Sequence, residues 1–323
     1  MIKHKVKYKK VIAFLIYNFV IGAILAPFIV FYGPFQDIKV LAVGSIATSR
    51  HPQVVQAFLS QEEIDKIMNS DSDQSVSNGE QIDFGNRIND TANGIVIEDI
   101  QGQGFKGKVV LVKDPKQIKL AVTKDIGVVG ERVSELVQDT GAVLGVNAGG
   151  FYDPSGKGNG AYPDGVTIHN GQIVHNNIGN QQTHMIGLDN QGKLIVDDMT
   201  ANEALAKGMM EAVSFYPDLV VDGKPVVQGS GGWGISPRTG IGQTADGTII
   251  LVTIDGRLPT WSIGATLRSL MDVFINYHAV TAVNLDGGSS TTLVYQGKVI
   301  NRVCDLFGER YIPTAFVVMP KGK

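Results

Sequence analysis

The length, composition and charge of the chain exclude several classes of protein. It has 323 residues, 43% hydrophobic and 18% charged, as expected of a globular protein with a sizeable core, and its only cysteine, Cys304, rules out an intrachain disulfide. Five of the 28 basic residues lie in the first ten positions, which leaves 23 basic against 31 acidic residues elsewhere. This acidic remainder argues against nucleic acid as a partner.

The N-terminus has the pattern of a membrane anchor. A basic tail over residues 1–10 precedes an uncharged apolar run over residues 11–32. As a helix that run would span roughly 33 Å, close to the thickness of a bilayer core, and the basic side would stay in the cytoplasm. A cleaved signal peptide is the alternative. Its apolar region is usually shorter, and the nearest loose cleavage candidate, at residues 43–47, lies late. We therefore predict an uncleaved single-pass anchor with the bulk of the chain outside the cell.

Residues 33–93 are predicted to be a stalk helix and a polar linker. Residues 35–47 are apolar and favour an interfacial or extended segment, whereas residues 51–68 have the apolar spacing of an amphipathic helix, as a stalk or as a packing element. Residues 69–93 are rich in Ser, Asp, Asn, Gln and Gly, which is typical of a linker. The main domain is expected over residues 94–320.

Within residues 94–320 the pattern is one of short strands joined by tight turns. Asn170-Gly171, Asp222-Gly223, Asp246-Gly247 and the turn at Asn190-Gln191-Gly192 each separate two β-prone runs and predict hairpins. Helices are predicted at residues 131–140, at residues 203–210, and from Ile263 to about Tyr277 with Ser262 as its cap. The predicted fold class is α+β, with large, mostly antiparallel β-sheets and a few packed helices, preceded by one transmembrane helix.

Five β-prone runs end in a polar, glycine-rich corner. The corners are Asn147-Ala-Gly-Gly-Phe-Tyr, Pro237-Arg-Thr-Gly-Ile-Gly, Asp255-Gly-Arg, Asn284-Leu-Asp-Gly-Gly-Ser and Gly308-Glu-Arg. A single such corner is typical of a turn, but five with amides, guanidinium groups and carboxylates predict a shared site. Glycoside cleavage commonly uses two carboxylates, and the arginine fork matches phosphate. The set therefore suits a substrate that is both a sugar and a phosphate ester, although some members could instead form structural ion pairs.

These corners, together with Pro163-Asp-Gly-Val and Ser262-Ile-Gly-Ala-Thr-Leu, resemble the successive motifs of the phosphodiester glycosidase family. The resemblance covers roughly residues 94–320 and is most specific at Asn284-Leu-Asp-Gly-Gly-Ser. It implies a hydrolase that removes an α-linked, GlcNAc-like sugar from a sugar-1-phosphodiester and leaves a phosphomonoester. The chain looks like the bacterial, membrane-anchored members of that family, which are often associated with exopolysaccharide. The implied partners are a phosphorylated glycan and the membrane.

The resemblance also implies which residues form the site. The implied catalytic acids are Asp286 with either Asp255 or Glu309, and the implied substrate-binding residues are Asn147, Gly149, Arg238, Thr239, Arg257, Asn284, Gly287, Gly288, Ser289 and Arg310. We expect Arg238 and Arg257 to hold the phosphate, and Asn147 and Asn284 to bind sugar hydroxyls. Because phosphate is a good leaving group, one carboxylate could suffice. The spacing requires no cofactor, but a divalent cation at Asp255 or Asp286 stays open.

Rival functions fit the residues less well. A haloacid-dehalogenase phosphatase would need an aspartate where Asn284 stands, a serine hydrolase would need a Gly-x-Ser-x-Gly elbow, and a zinc hydrolase would need clustered histidines. A non-catalytic surface protein that binds phosphorylated glycans during exopolysaccharide or wall-polymer assembly remains the alternative from another class. The Asp286→Asn variant would separate the two, because glycan binding would survive and hydrolysis would be lost.

Overall fold

The structure is a computed structural model that describes residues 2–47, 53–69, 81–152 and 158–322. The chain forms two compact units, Met1–Met68 and Asn69–Lys323. Part of the predicted linker, residues 70–80, lies outside the described residues, so that part of the prediction stays untested.

The first unit consists of helices. They are α1 (Ile2–Tyr32), α2 (Gln36–Ala47), α3 (Gln53–Gln56) and α4 (Gln61–Asn69). Within α1, the 23 residues Lys10–Tyr32 have a mean hydropathy of 2.3 and are long and apolar enough to cross a membrane. Phe31, Val43, Val55, Leu59 and Ile64 are buried together as a small core of this unit.

Two predictions for this region need correction. Residues 36–47 are helical, so the extended alternative is wrong and the interfacial one stays a prediction. Residues 53–69 form two short helices instead of one. Ser60 explains the interruption, because its hydroxyl caps α4 by bonding Glu63, three residues later, and so begins a new helix there.

The second unit is built on one eight-stranded antiparallel sheet. Its strands, in spatial order, are β1 (Asp83–Asp90), β2 (Ile95–Gly102), β3 (Phe105–Val112), β16 (Ile249–Ile254), β15 (Arg238–Thr244), β17 (Ala279–Leu285), β13 (Asp218–Val221) and β14 (Lys224–Pro225). Strand β1 pairs with β2 along its length, so the sheet includes residues N-terminal to the predicted boundary at residue 94.

Smaller antiparallel sheets complete the unit. One five-stranded sheet has the order β11 (Leu194–Met199), β10 (Thr183–Asp189), β12 (Met209–Ser214), β8 (Val166–His169) and β9 (Gln172–Asn176). The other has the order β19 (Lys298–Val299), β18 (Leu293–Tyr295), β5 (Leu144–Asn147), β20 (Thr314–Val318) and β4 (Ile118–Val122). A two-stranded ribbon joins β6 (Phe151–Tyr152) to β7 (Tyr162–Pro163).

The three larger sheets share one apolar core. Leu251 of the eight-stranded sheet, Ile186 of the first five-stranded sheet and Phe316 of the second are buried in the same cluster. Strand β16 contributes to this core with Ile249 and Leu251, while its alternate residues point to the opposite face of the sheet. The predicted α+β class with large antiparallel sheets and few helices is therefore confirmed.

Three helices cover the outer faces of the sheets. Helix α7 (Leu267–Asn276) packs Phe274 against the eight-stranded sheet, whereas α5 (Val133–Thr140) and α6 (Ala201–Ala206) each cover a five-stranded sheet. Helix α5 ends at Gly141 in the left-handed conformation, as predicted. The predicted cap of α7 was wrong: Thr266 caps it by accepting a bond from Ser269 N, while Ser262 bonds the carbonyl oxygen of Asp255.

The hairpin predictions at the Asn-Gly and Asp-Gly turns are confirmed. Asn170 and Gly171 both have positive φ angles, 52° and 71°, between β8 and β9, and Asp222 and Gly223 likewise join β13 to β14. The β-prone run before the Asp222-Gly223 turn, residues 212–221, is divided between β12 and β13, which belong to different sheets. The break contains the cis peptide bond between Tyr216 and Pro217.

Candidate active site

The register of the large sheet brings three of the predicted corners to one edge. Strand β15 begins at Arg238, opposite Ile254 near the end of β16, and its next residue, Thr239, lies opposite Leu285 at the end of β17. Asp255 and Asp286 are the residues that follow Ile254 and Leu285. Neighbouring antiparallel strands run in opposite directions, so β16 and β17 end where β15 begins. The two acids therefore flank the beginning of β15.

Asn147 connects this edge to the second five-stranded sheet. It lies at the end of β5, is 1% exposed, and its side-chain nitrogen donates to the carbonyl oxygen of Asp286. Its side-chain oxygen accepts bonds from the Thr239 hydroxyl at 3.0 Å and from Thr292 N at 3.1 Å. The backbone N–H of Asp286 also donates to Ala148 O. Asn147 and Thr239 are therefore brought to the site, where they hold the strand ends together.

Asp255 is a buried carboxylate surrounded by hydrogen-bond donors. Its Oδ2 accepts a 2.7 Å bond from Trp261 Nε1, and its Oδ1 accepts from Arg302 N at 3.0 Å and from Asn301 Nδ2 at 3.3 Å. Burial raises the pKa of the Asp255 carboxyl, and these hydrogen bonds oppose part of the rise. Both oxygens are engaged inside the protein, so this geometry favours a positioning role over direct contact with substrate.

Arg238 is also held from within. Its Nε donates to Ala265 O at 3.0 Å, and its Nη2 donates to the carbonyl oxygens of Trp233 and Gly234. Burial, together with the nearby charge of Arg257, lowers the pKa of the Arg238 guanidinium to about 9. The Arg238 guanidinium therefore holds the backbone of residues 233, 234 and 265 in place around the site.

Arg257 and Arg310 lie beside the Gly288–Ser290 turn. Gly288 has a φ of 60°, and a Cβ at this position would lie 3.5 Å from both Nη1 and Nη2 of Arg257. Arg310 Nη1 donates to Ser289 Oγ at 3.3 Å, and its guanidinium lies 4.6 Å from the centre of the Phe151 ring. Neither arginine forms an ion pair with an acid in the part of the chain that the structure describes. Two guanidinium groups beside a glycine-rich turn form a site suited to a phosphate group.

The other residues predicted at these corners have structural roles. They are Gly149, Gly287 and Glu309. Gly149 packs against β12, where an added Cβ would come 2.7 Å from the Cβ of Val213, and Gly287 lies against Pro237 O. Glu309 accepts bonds from Ser134 N at 3.0 Å and Ser134 Oγ at 2.6 Å in the first turn of α5. A carboxylate is stabilised there by the helix dipole, so Glu309 is held at a helix start.

Asn284 lies next to a group of three aromatic rings. Its Nδ2 donates to Tyr216 O at 3.0 Å, and its buried Oδ1 has no hydrogen-bond partner among the described residues. The ring of Tyr216 lies 5.2 Å from that of Trp233 and 5.8 Å from that of Phe215, centre to centre. Tyr216 is 57% exposed. A solvent-facing aromatic ring offers a surface on which the apolar face of a sugar can stack, whereas the Asn284 amide is buried, at 1% exposed.

The structure thus gathers Asn147, Arg238, Thr239, Asp255, Arg257, Asn284 and Asp286 at one edge, with Ser289 and Arg310 joined through the Gly288–Ser290 turn. Sequence reasoning missed Tyr216, Trp233, Trp261 and Arg302, because isolated aromatic residues in loops, and an arginine without a glycine-rich corner beside it, carry no spacing signal. Among the residues that the structure describes, no three His, Cys, Asp or Glu side chains form a group suited to a metal ion.

Comparisons with known sequences agree with these motifs. The profile of the phosphodiester glycosidase family matches residues 140–319. The prophage-derived protein YomE of Bacillus subtilis, described as uncharacterized, is 31% identical over 127 residues, 38% of this chain and 20% of that protein. The N-acetylglucosamine-1-phosphodiester alpha-N-acetylglucosaminidase of Bos taurus is 34% identical over 71 residues, 22% of this chain. The matched parts are 20% and 13% of these two relatives, well under two thirds of their lengths.

Solved structures share the fold. The catalytic domain of the zebrafish N-acetylglucosamine-1-phosphodiester alpha-N-acetylglucosaminidase superposes with a TM-score of 0.57 at 20% identity, over 77% of this chain and 86% of that one. A Synechocystis protein described as hypothetical gives 0.56 at 15% identity, over 76% and 69%. A Burkholderia pseudomallei protein whose description suggests export gives 0.52 at 18% identity, over 69% and 77%. Since the family profile matches more than half of its length, this chain belongs to the phosphodiester glycosidase family.

Proposed function

We propose that the protein hydrolyses a sugar-1-phosphodiester at the cell surface and releases an α-linked, GlcNAc-like sugar from a phosphorylated glycan of the cell envelope or an exopolysaccharide. The observation that carries the proposal is the placement of Asp286. Along the chain it lies between Asn284, which bonds the Tyr216 carbonyl, and the Gly288–Ser290 turn, which Arg257 and Arg310 flank. In this proposal the segment at Asn284 binds the sugar, the Gly288–Ser290 turn binds the phosphate, and the half-buried Asp286 lies between them along the chain.

Each side supplies what the cleavage requires. The bond between the anomeric carbon and the phosphate oxygen breaks, and the electron pair leaves with the phosphate. Water adds to the anomeric carbon and gives up one proton, which the phosphomonoester or the solvent takes up. Arg257 and Arg310 stabilise the charge gained by the leaving phosphate, and Asp286 stabilises the positive charge that develops on the sugar. Asp255 and Glu309 are assigned to positioning, because other protein groups already bond their oxygens.

The N-terminal helix supports the proposed location. Its 23-residue apolar segment follows a basic tail, which favours a single-pass anchor with the sheet-containing unit outside the cell. The described export of the Burkholderia pseudomallei relative agrees with this placement.

The test uses the full chain in detergent micelles with a methyl phosphodiester of α-GlcNAc-1-phosphate. NMR follows the free sugar and the anomer first formed. We expect sugar release by the wild type and a loss of about 10³-fold or more in the Asp286→Asn variant, which should still bind the ligand. Ligand binding without sugar release by the wild type would contradict the proposal and favour a glycan-binding protein.

A further inference from the structure

A second group of cations lies near Asp255. An open depression of about 220 Å³ is walled by residues 101–106 and 259–263, among them Lys106 and Trp261. Lys106 Nζ lies 4.1 Å from the centre of the Trp261 ring, and the guanidinium carbon of Arg302 lies 3.6 Å from it. Two cations therefore share one indole at the edge of a cavity.

The backbones of Lys106 and Arg302 are hydrogen-bonded to the rest of the fold, whereas their charged groups stay available to a ligand. Lys106 N donates to Ser262 Oγ, Lys106 O accepts from Asp255 N, and Arg302 N donates to the Asp255 carboxylate. Neither side chain forms an ion pair with an acid that the structure describes. The neighbouring carboxylate, Asp255, is 4% exposed and already accepts three hydrogen bonds.

Two like charges held near one ring repel each other, and an anion bound beside them reduces that cost. The chain beyond residue 10 has more acidic than basic residues, so two neighbouring cations differ in charge from the rest of it. A flat indole beside the cations also offers a surface to a sugar ring. The chemistry that fits the depression is a sugar that carries a phosphodiester.

This depression is close to the proposed phosphate site. Only one residue, Val303, separates Arg302 from Cys304, whose sulfur contacts the carbonyl oxygen of Gly288 at 3.9 Å. Their Cα atoms are thus at most about 7 Å apart. Residues 302–304 thus connect the cations around Trp261 to the Gly288–Ser290 turn.

We propose that Lys106, Trp261 and Arg302 bind a second phosphodiester of the same substrate molecule, so that the substrate is a polymer of glycosyl phosphates and not a sugar with a single phosphate. This inference rests on the proposed function, because it takes the Gly288–Ser290 turn as the place of the first phosphate.

Binding is measured first, without hydrolysis. The full chain in detergent carries Asp286→Asn and Trp233→Phe, which leaves Trp261 as the only tryptophan of the two in the sequence. The probes are a synthetic tetramer of GlcNAc units joined by 1-phosphodiesters, the single-phosphate methyl diester, and neutral chitotetraose. The tetramer should change the Trp261 fluorescence, and it should bind at least about tenfold more weakly when Lys106→Gln or Arg302→Gln is added. Raising the salt from about 0.05 M to about 0.5 M should weaken its binding further.

The matched variants distinguish the loss of a charge at this site from a disturbance of the fold. Lys106→Arg and Arg302→Lys should retain most of the affinity for the tetramer. Lys108→Gln and Arg87→Gln remove cations that form ion pairs with Asp99 and Glu98, and these variants should bind the tetramer as the parent does. Equal tetramer binding by Lys106→Gln, Arg302→Gln and the parent, or equal affinity for chitotetraose and the tetramer, would overturn the proposal.

Hydrolysis provides the second measurement. In chains that retain Asp286, the ratio of kcat/KM for the tetramer to that for the methyl diester should fall about tenfold in Lys106→Gln and Arg302→Gln. An unchanged ratio would overturn the second subsite. Tetramer binding that depends on Lys106 and Arg302, in a wild type that releases no sugar, would keep the subsite and contradict the hydrolase.

Discussion

The Thr239 hydroxyl donates a 3.0 Å hydrogen bond to the side-chain oxygen of Asn147, and this bond joins the second residue of β15 to the last residue of β5. The two strands belong to different sheets that meet at the site. The same asparagine bonds the Asp286 carbonyl and Thr292 N, so one side chain holds three segments of the site in place.

Replacing Asn147 with alanine should therefore destabilise the protein. The change leaves buried donors and an acceptor on Thr239, Thr292 and Asp286 without their partner, and we expect a loss of about 2–4 kcal/mol in the free energy of unfolding. Urea unfolding followed by circular dichroism measures it. Asn86→Ala is the control, because Asn86 is exposed and bonds only the Asp99 side chain among the described residues. Equal losses in the two variants would contradict the joining role of Asn147.

Gly288→Ala should impair activity beyond its effect on stability. Gly288 has a φ of 60°, so alanine there is strained, and the new Cβ would lie in van der Waals contact with the Arg257 guanidinium at 3.5 Å. We expect a loss of stability of about 1–2 kcal/mol and, because the added methyl group takes up space beside Arg257 where the proposed phosphate binds, a fall in kcat/KM of about tenfold or more. Urea unfolding and the sugar-release assay measure the two effects.

Gly297→Ala is the matched control for that substitution. Gly297 has a φ of 72°, but no atom lies within 4 Å of the position its Cβ would take. It should lose similar stability and keep its kcat/KM. A parallel loss of activity in both variants would show that backbone strain, and not contact with Arg257, explains the Gly288 effect.

Local patterns in the sequence predicted the hairpins, the helix end at Gly141 and the gathering of the strand-end corners. Asn-Gly and Asp-Gly turns and a helix-ending glycine are determined by the backbone freedom of a few residues, so a short stretch of sequence reveals them. The cap of α7 was missed because Ser262 and Thr266 are both competent caps. The choice depends on Ser262 bonding the distant residues Asp255 and Lys106.

Residue type alone did not show which polar side chains face outward and which are hydrogen-bonded to other groups inside the protein. Arg238 and Arg257 stand beside similar glycine-rich corners, yet backbone carbonyls from residues 233, 234 and 265 surround Arg238. Asp255 is likewise enclosed by Trp261, Asn301 and Arg302, which lie up to 47 positions away in the chain. Such partners come together only through the tertiary fold.

Arg257→Gln should weaken the binding of the phosphate product. The substitution removes a charge beside the Gly288–Ser290 turn, and a charge-assisted bond to phosphate contributes about 1.5–3 kcal/mol, so the inhibition constant of inorganic phosphate should rise about tenfold or more. Inhibition of sugar release by inorganic phosphate measures it. Arg87→Gln, at an exposed ion pair with Glu98, should leave the constant unchanged. An unchanged constant in Arg257→Gln would place the phosphate elsewhere.

His184 should make stability depend on pH. Its ring nitrogens contact Asp218 at 3.1 Å and Asp198 at 2.7 Å, and the bond to Asp218, assisted by Asp198, raises the pKa of the imidazole against the opposing effect of burial. The stabilisation is therefore complete below the unfolded pKa of about 6.5 and disappears as the pH rises through the folded pKa.

The measurement for His184 compares urea midpoints of the wild type and His184→Gln from about pH 5.5 to about pH 8.5. The gap between the two proteins should be largest at the acidic end and should narrow with rising pH. His175→Gln should show the opposite trend, because burial lowers the pKa of His175 and its neutral form is the one that the fold favours. A gap for His184→Gln that is constant over this range would contradict the ion-pair account.

Tyr216→Ala should weaken the binding of the sugar more than it slows the chemical step. The exposed ring lies against Trp233, and a stacked sugar would lose one aromatic face, which contributes about 0.5–1.5 kcal/mol. We expect KM for the GlcNAc methyl diester to rise about three- to tenfold, with kcat changed less than twofold. Tyr216→Phe keeps the ring and should behave as the wild type does, and the backbone bond from Asn284 to the carbonyl at this position is the same in both variants. A rise in KM of the same size in Tyr216→Phe would assign the effect to the phenol hydroxyl, and no rise in Tyr216→Ala would remove these rings from the sugar-binding side.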